Sequence, residues 1–199
     1  MALEIVTYGH PALRQRGARI ATVTPDIHRL AAEMIETMHA AHGIGLAAPQ
    51  VARALQLFVL DLREVIDRPS TLQWEGQPAA LEAHMPLVLI NPEVKPVGPP
   101  ETGPEGCLSF PELFAERITR PGSVEVTALN EHGETIHFAC GGLLARAVQH
   151  EHDHLRGILF IDRMTLEEKR KWQPDLDALQ AATKATLKKA PPPQQRSPW

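Results

Sequence analysis

The run His150-Glu151-His152-Asp153-His154 reads His-Glu-x-x-His and carries the groups that a metal-dependent hydrolase needs. If the run is helical, residues four apart share a face, so the imidazoles of His150 and His154 stand side by side and can ligate one ion. Glu151 then lies next to the first ligand, where its carboxylate can act as general base on a water at the metal. Asp153 is placed to orient a ligand from behind, a partner that ligating imidazoles usually have. The pattern is short and histidine is frequent here, with 10 in 199 residues. A catalytic centre also needs a third protein ligand and an open position, and the rest of the chain must supply them.

Two other stretches offer suitable groups. Glu105-Gly106-Cys107-Leu108-Ser109 sets a cysteine well upstream of the histidine pair. A thiolate with two imidazoles is an established ligand set that leaves one position for water. The alternative is a buried Cys107 that behaves as a small apolar residue. Gly43-Ile44-Gly45-Leu46-Ala47-Ala48-Pro49-Gln50 combines two glycines with small residues, so its backbone can pass close to another group. A phosphate loop fits poorly, because no lysine follows and no strand clearly precedes. The stretch either lines a ligand cleft, with the Gln50 amide as hydrogen-bond donor or acceptor, or is a glycine-rich surface turn.

The elements that must position these groups are partly legible. Ala2 to Tyr8 alternates weakly and predicts a short edge strand. Thr24 as N-cap, Pro25 at the first helical position and an apolar face of Ile27, Leu30, Ala31, Met34, Ile35 and Met38 predict a helix that ends in a left-handed cap at Gly43. Leu55 to Leu62 and Leu87 to Ile90 predict buried strands, the second ending at Asn91-Pro92. Arg63 to Pro86 predicts a long loop with a helical turn at Ala79 to Ala83, and Pro96 to Pro104 an irregular stretch. Val124 to Leu129 and Thr135 to Phe138 predict a hairpin about the turn at Asn130 to Glu134. Gly141-Gly142 frees the chain to start the metal helix at Leu143, and Gly157 ends it. Thr165 to Lys189 predicts a helix interrupted by Pro174. Ala190 to Trp199, with three consecutive prolines, predicts a disordered tail.

Composition narrows the function classes. A length of 199 residues suits one domain with a tail, and 43% hydrophobic residues suffice for a core. A net charge of −4 argues against binding nucleic acid through bulk charge, and no sequence-specific nucleic-acid contact is expected. No apolar run approaches the ~18 to 20 residues of a membrane span, and no signal peptide is evident at the N-terminus. Cys107 and Cys140 do not make a disulfide framework. A cytoplasmic protein without a membrane partner is expected.

Taken in order, the stretches 43–50, 105–109 and 149–154 resemble those of the bacterial-type peptide deformylases. The resemblance runs from about Leu3 to Asp162. It implies an α+β fold with antiparallel strands packed around a central metal-bearing His-Glu-x-x-His helix. The organisation expected is a catalytic domain over residues 1–165, a helical segment over 166–189 and a tail over 190–199. The resemblance makes Cys107, His150 and His154 the metal ligands and Glu151 the catalytic carboxylate. Gln50 and the backbone N–H of Leu108 become the oxyanion donors. Ile44, Gly45, Gly106, Leu143, Arg146 and Ala147 become substrate-binding positions, several of them beside a pocket for a methionine side chain. The implied native metal is Fe2+, with Zn2+, Ni2+ or Co2+ as substitutes. The implied substrate is the N-formyl-methionyl end of nascent polypeptides, and the implied state is a monomer.

Three regions depart from the family pattern. Arg146 stands where an apolar residue is usual, four residues before His150 on the same helical face. It can snorkel to the cleft rim with its stem packed, or enter the pocket and change its preference, which would leave a relative with weak or different formyl-peptide or amide activity. The loop at 63–86 is long. The tail with Lys184, Lys188, Lys189 and Arg196 is basic, compatible with a solvated segment or a transient ribosome contact. Other readings fit less well. His-Glu-x-x-His peptidases usually take a downstream His or Glu as third ligand, and a closed structural site would lack a fourth ligand. A binding protein without turnover would not need Glu151 and Gln50.

Overall fold

The computed structural model describes residues 2–189, so the tail expected over 190–199 lies outside the described residues. Its first helix, α1 (Pro25–Ala40), begins as the sequence predicts. Thr24 is in extended backbone and Pro25 opens the helix, although the Thr24 side chain makes no cap bond. The left-handed residue that ends it is His42, at φ 54°, rather than Gly43. The Gly43 N–H then reaches back to the Met38 carbonyl at 2.9 Å. Gly43 is needed for another reason, since a Cβ there would lie 2.6 Å from Leu108 Cδ1.

Seven strands follow: β1 (Gly45–Ala47), β2 (Leu57–Leu60), β3 (Ser70–Trp74), β4 (Gln77–Pro78), β5 (Leu87–Gly106), β6 (Phe114–Leu129) and β7 (Thr135–Gly141). All their pairings are antiparallel, in the order β1-β2-β5-β6-β7-β3-β4. The metal helix α2 (Gly142–Leu155) packs on one face of this sheet and α1 on the other. β2 shows why the centre reads as a continuous apolar run. Phe58 and Leu60 join the core under α2, while Leu57 and Val59 join the core under α1, as a strand buried on both faces requires.

Four expectations about elements need correction. Ala2 to Tyr8 is not a strand. Its donors go to separate elements: Leu3 N–H to Thr37 Oγ1, Val6 N–H to the Gln50 carbonyl and Tyr8 N–H to the Ser109 carbonyl. The 63–86 segment is not a plain loop, because β3 and β4 form a hairpin about Glu75-Gly76, both at positive φ, and β3 pairs with β7. Two residues of that kind are a hairpin turn signal when strands flank them; here charged residues and prolines around the short strands hide it. A one-turn helix, Leu81–His84, stands near the expected turn. β5 does not stop at Asn91-Pro92 but runs to Gly106 along β6. Its register shifts, at Ile90/Glu93, Val97/Pro100 and Gly103/Glu105, absorb the prolines that a regular ladder would reject.

The last correction concerns the C-terminal helix, α3 (Leu166–Lys189), which runs through Pro174 without a break. Proline removes one intrahelical donor, but Arg170 and Pro174 are both exposed, so water can satisfy the freed carbonyl. α3 rests on a third core cluster through Trp172, Leu176 and Leu179.

Candidate metal centre

α2 starts because a neighbouring segment caps it. Gly142, at φ 66°, lets the Pro69 carbonyl approach too closely for any Cβ. Leu143 N–H donates to that carbonyl at 3.2 Å and Leu144 N–H to Ser70 Oγ at 3.0 Å. From this start, every residue of α2 is buried except Gly142, Arg146 and His152. The helix therefore carries His150, Glu151 and His154 into the interior, where their orientation is set by packing.

Cys107 follows β5 directly and meets the helix. The ligand atoms of Cys107, His150 and His154 lie within 4.8 Å of one another, and Cys107 Sγ is 3.3 Å from His154 Nε2. His150 Nδ1 is engaged by Glu105 Oε2 at 3.0 Å, which leaves Nε2 to ligate. Glu105 is the carboxylate behind the ligand that Asp153 was expected to be. It is held in turn by Arg120, through Nε at 2.5 Å and Nη2 at 2.9 Å, and by Arg146 Nη1 at 2.9 Å. Asp153 touches no ligand. It binds Arg120 Nη1 at 2.7 Å and the Arg163 guanidinium at 2.5 Å on both oxygens. Arg120 is only 2% exposed and ties the two carboxylates together beneath the helix.

Burial and close partners shift the titratable groups of the site in different directions. Burial alone would raise the Glu105 pKa, but hydrogen bonds from Arg120 and His150 hold it well below the ordinary carboxylate range. For His150 burial disfavours the charged form, yet the Cys107 and Glu105 hydrogen bonds bring its pKa well above the usual value. His154 is pushed well below its usual value by burial and then by the charge on His150. Glu151 is pushed up to about 7 by burial, and its Oε2 is buried without a hydrogen-bond partner. One sulfur and two imidazoles with their candidate ligand atoms within 4.8 Å of one another fit a metal that keeps an open position, and the mixed donor set suits iron or zinc.

Gln50 is 1% exposed, so it is no surface residue. Its Oε1 accepts from Ala47 N–H at 2.8 Å, which turns Nε2 toward Cys107 Sγ at 3.5 Å and Ser109 Oγ at 3.3 Å. Gly45 sits against the carboxylate. A Cβ there would be 2.5 Å from Glu151 Oε1 and 2.9 Å from Leu60 Cδ2. One cleft of about 650 Å³ opens on the centre, and Ile44, Gly45, Gly106, Leu143, Arg146 and Ala147 all line it with Gln50, Leu108 and Glu151. Arg68 and Phe114 also line it, and the sequence had singled out neither. Phe114, 51% exposed, is an apolar residue left open at this cleft. Cys140 is a core residue under α2, its thiol pushed up to about 12 by burial.

Arg146 takes neither of its two expected placements. Its guanidinium turns into the wall, with Nη1 on Glu105 Oε1 and on the Ile118 carbonyl, both at 2.9 Å, and Nη2 on the Glu101 carbonyl at 3.0 Å. The side chain is 11% exposed.

The geometry has counterparts among known proteins. The family model described as polypeptide deformylase matches residues 2–170. A peptide deformylase of Opitutus terrae is 40% identical over 193 residues, covering 96% of this chain and 100% of its own. The crystal structure of a Synechococcus elongatus peptide deformylase in complex with actinonin superposes with a TM-score of 0.74 at 36% identity, covering 88% of this chain and 86% of its own. Peptide deformylase 1B of Arabidopsis thaliana, in complex with an inhibitor, gives a TM-score of 0.79 at 34% identity over 98% of both chains. Among the described residues, no helix is long and apolar enough to cross a membrane.

Proposed function

The chain belongs to the polypeptide deformylase family, and from that premise we propose which of its residues perform the reaction. The protein is a metal-dependent hydrolase that removes the N-formyl group from nascent peptides. Cys107, His150 and His154 hold the metal, and Fe2+ is the ion of the native enzyme, with Zn2+, Ni2+ or Co2+ as substitutes. When bound, the ion supplies a Lewis acid that eases removal of a proton from water and polarises the formyl oxygen.

The chain's own residues do the rest. Glu151 accepts the proton of the attacking water and returns it to the amine as the C–N bond breaks, so formate and a free N-terminus leave. The single observation that carries this role is its buried, unpartnered Oε2, on a residue that lines the same cleft as Cys107 and His150. A carboxylate near pKa 7 is well matched to taking and giving a proton at neutral pH. The Gln50 amide and the Leu108 N–H stabilise the developing oxyanion; losing one such donor typically costs about 3 kcal/mol. Ile44, Leu143 and Ala147 supply apolar wall for the methionine side chain, and Gly45 and Gly106 keep the backbone close to the substrate. The three hydrogen bonds of Arg146 engage its charge within the wall, which supports an ordinary apolar pocket over an altered one. The enzyme acts as a cytoplasmic monomer on peptides emerging from the ribosome; of the basic residues expected to offer a transient ribosome contact, Lys184, Lys188 and Lys189 are exposed on α3 and Arg196 lies outside the described residues.

The test is formate release from a formyl-Met tripeptide by protein purified without oxygen, since a thiolate ligand is open to oxidation. Glu151→Ala is expected to lose at least about 100-fold in rate while keeping about one metal per chain. A variant that turns over normally would remove Glu151 from the mechanism, and one that also lost its metal would make it a ligand or a packing residue instead.

A further inference from the structure

Arg146 joins two parts of the site that could have been independent. It lines the cleft, and its Nη1 also holds the same Glu105 carboxylate whose other oxygen holds the metal-ligand candidate His150. Its guanidinium is further fixed by the Ile118 and Glu101 carbonyls, from β6 and β5. It lies flat against Gly103, where a Cβ would be 3.2 Å from Nη2. Four hydrogen bonds converge on this carboxylate, two from Arg120 and one each from Arg146 and His150, and all four side chains are largely removed from bulk water.

We propose that Arg146 is a positioning residue for the metal: a wall of the substrate cleft that acts through Glu105 to hold His150 in its ligating orientation. The physical reason is the shape of the fork. Arg120 occupies both Glu105 oxygens from one side, and Arg146 adds a second donor on Oε1 alone. That contact resists rotation of the carboxylate, and a carboxylate that cannot rotate keeps its Oε2 on His150 Nδ1. Partners behind a metal ligand commonly change metal affinity by about 10- to 100-fold. A lysine could keep the charge but not the three-way fork, because an ammonium is a point donor on a flexible stem. This inference rests on the metal-site reading given above, but its test does not need the formyl substrate.

The experiment uses the full chain loaded with one equivalent of Co2+, whose visible absorption reports its ligands. The loss of Co2+ to excess chelator is timed for the parent protein, Arg146→Met, Arg146→Lys, Glu105→Gln and the double variant Arg146→Met/Glu105→Gln. Arg146→Met is expected to release the ion at least about tenfold faster and to alter the absorption band, with Arg146→Lys intermediate. In the double variant the Arg146 change should add little, as two residues acting through one contact must. Arg146→Met that holds Co2+ as tightly as the parent, with an unchanged band, would overturn the proposal. So would full additivity with Glu105→Gln. If Arg146→Met fails to fold, Arg146→Lys decides by the same two readouts. Should the parent bind Co2+ without releasing formate, the proposed function would fail while this metal measurement would still stand.

Discussion

α2 and α3 are both helices with polar sequences, yet they are held by opposite means. In α2, Arg146 and Asp153 turn inward and are paired, while Glu151 is buried with one oxygen unpartnered. Glu105, Arg120, Asp153, Arg146 and Arg163 form one connected network around it. α3 is longer, but only Leu176 and Thr183 are buried among its residues. Its ion pairs lie on the surface, as Glu167–Lys171 does at 3.7 Å with both side chains largely exposed. The difference teaches where charge matters: an ion pair in water contributes little, whereas a buried one becomes costly once either partner is removed.

Substitutions can break that comparison. The largest effect is expected for Arg120→Ala, which leaves Glu105 and Asp153 short of their shared partner. A loss of roughly 3 to 5 kcal/mol is expected by denaturant titration; a loss below that of a surface pair would mean that water or Arg146 and Arg163 compensate. Leu176→Ala removes the most buried contact of α3. It is expected to cost about 2 kcal/mol, the low end for such changes, because α3 can settle on its cluster. Formate release per folded molecule should stay unchanged, and a tenfold drop would show that α3 is coupled to the metal helix. The smallest effect is expected for Lys171→Ala, at about 0.5 kcal/mol or less. A thermal melt shifted as far as that of Leu176→Ala would end the contrast between the two regions.

Legibility in the sequence followed the same division. Spacing put His150 and His154 on one face, and the three short motifs brought Cys107 and Gln50 to the same site. β2 and α1 were visible because apolar periodicity is a local property. Glu105 stood inside a recognised motif without a role, since nothing local distinguishes a carboxylate behind a ligand from one in a turn. Arg120 was invisible for a similar reason: a basic residue in a strand is ordinarily on the solvent face, and only a pre-formed pair of carboxylates makes its burial tolerable. β5 was cut short on paper by its prolines, which its register shifts accommodate.

What the sequence alone determined is the chemistry available: two imidazoles and a carboxylate at helical spacing, a thiol and an amide. Those identities and short spacings are set by covalent geometry and the pitch of a helix. What only the tertiary structure decided is which group supports which. Glu105 and His150 are 45 positions apart, Arg120 and Asp153 are 33, and Arg146 reaches 41 positions back to Glu105. Such pairings depend on the register of β5 against β6 and on where α2 lands on the sheet. Many residues fix these jointly, and no local pattern encodes them.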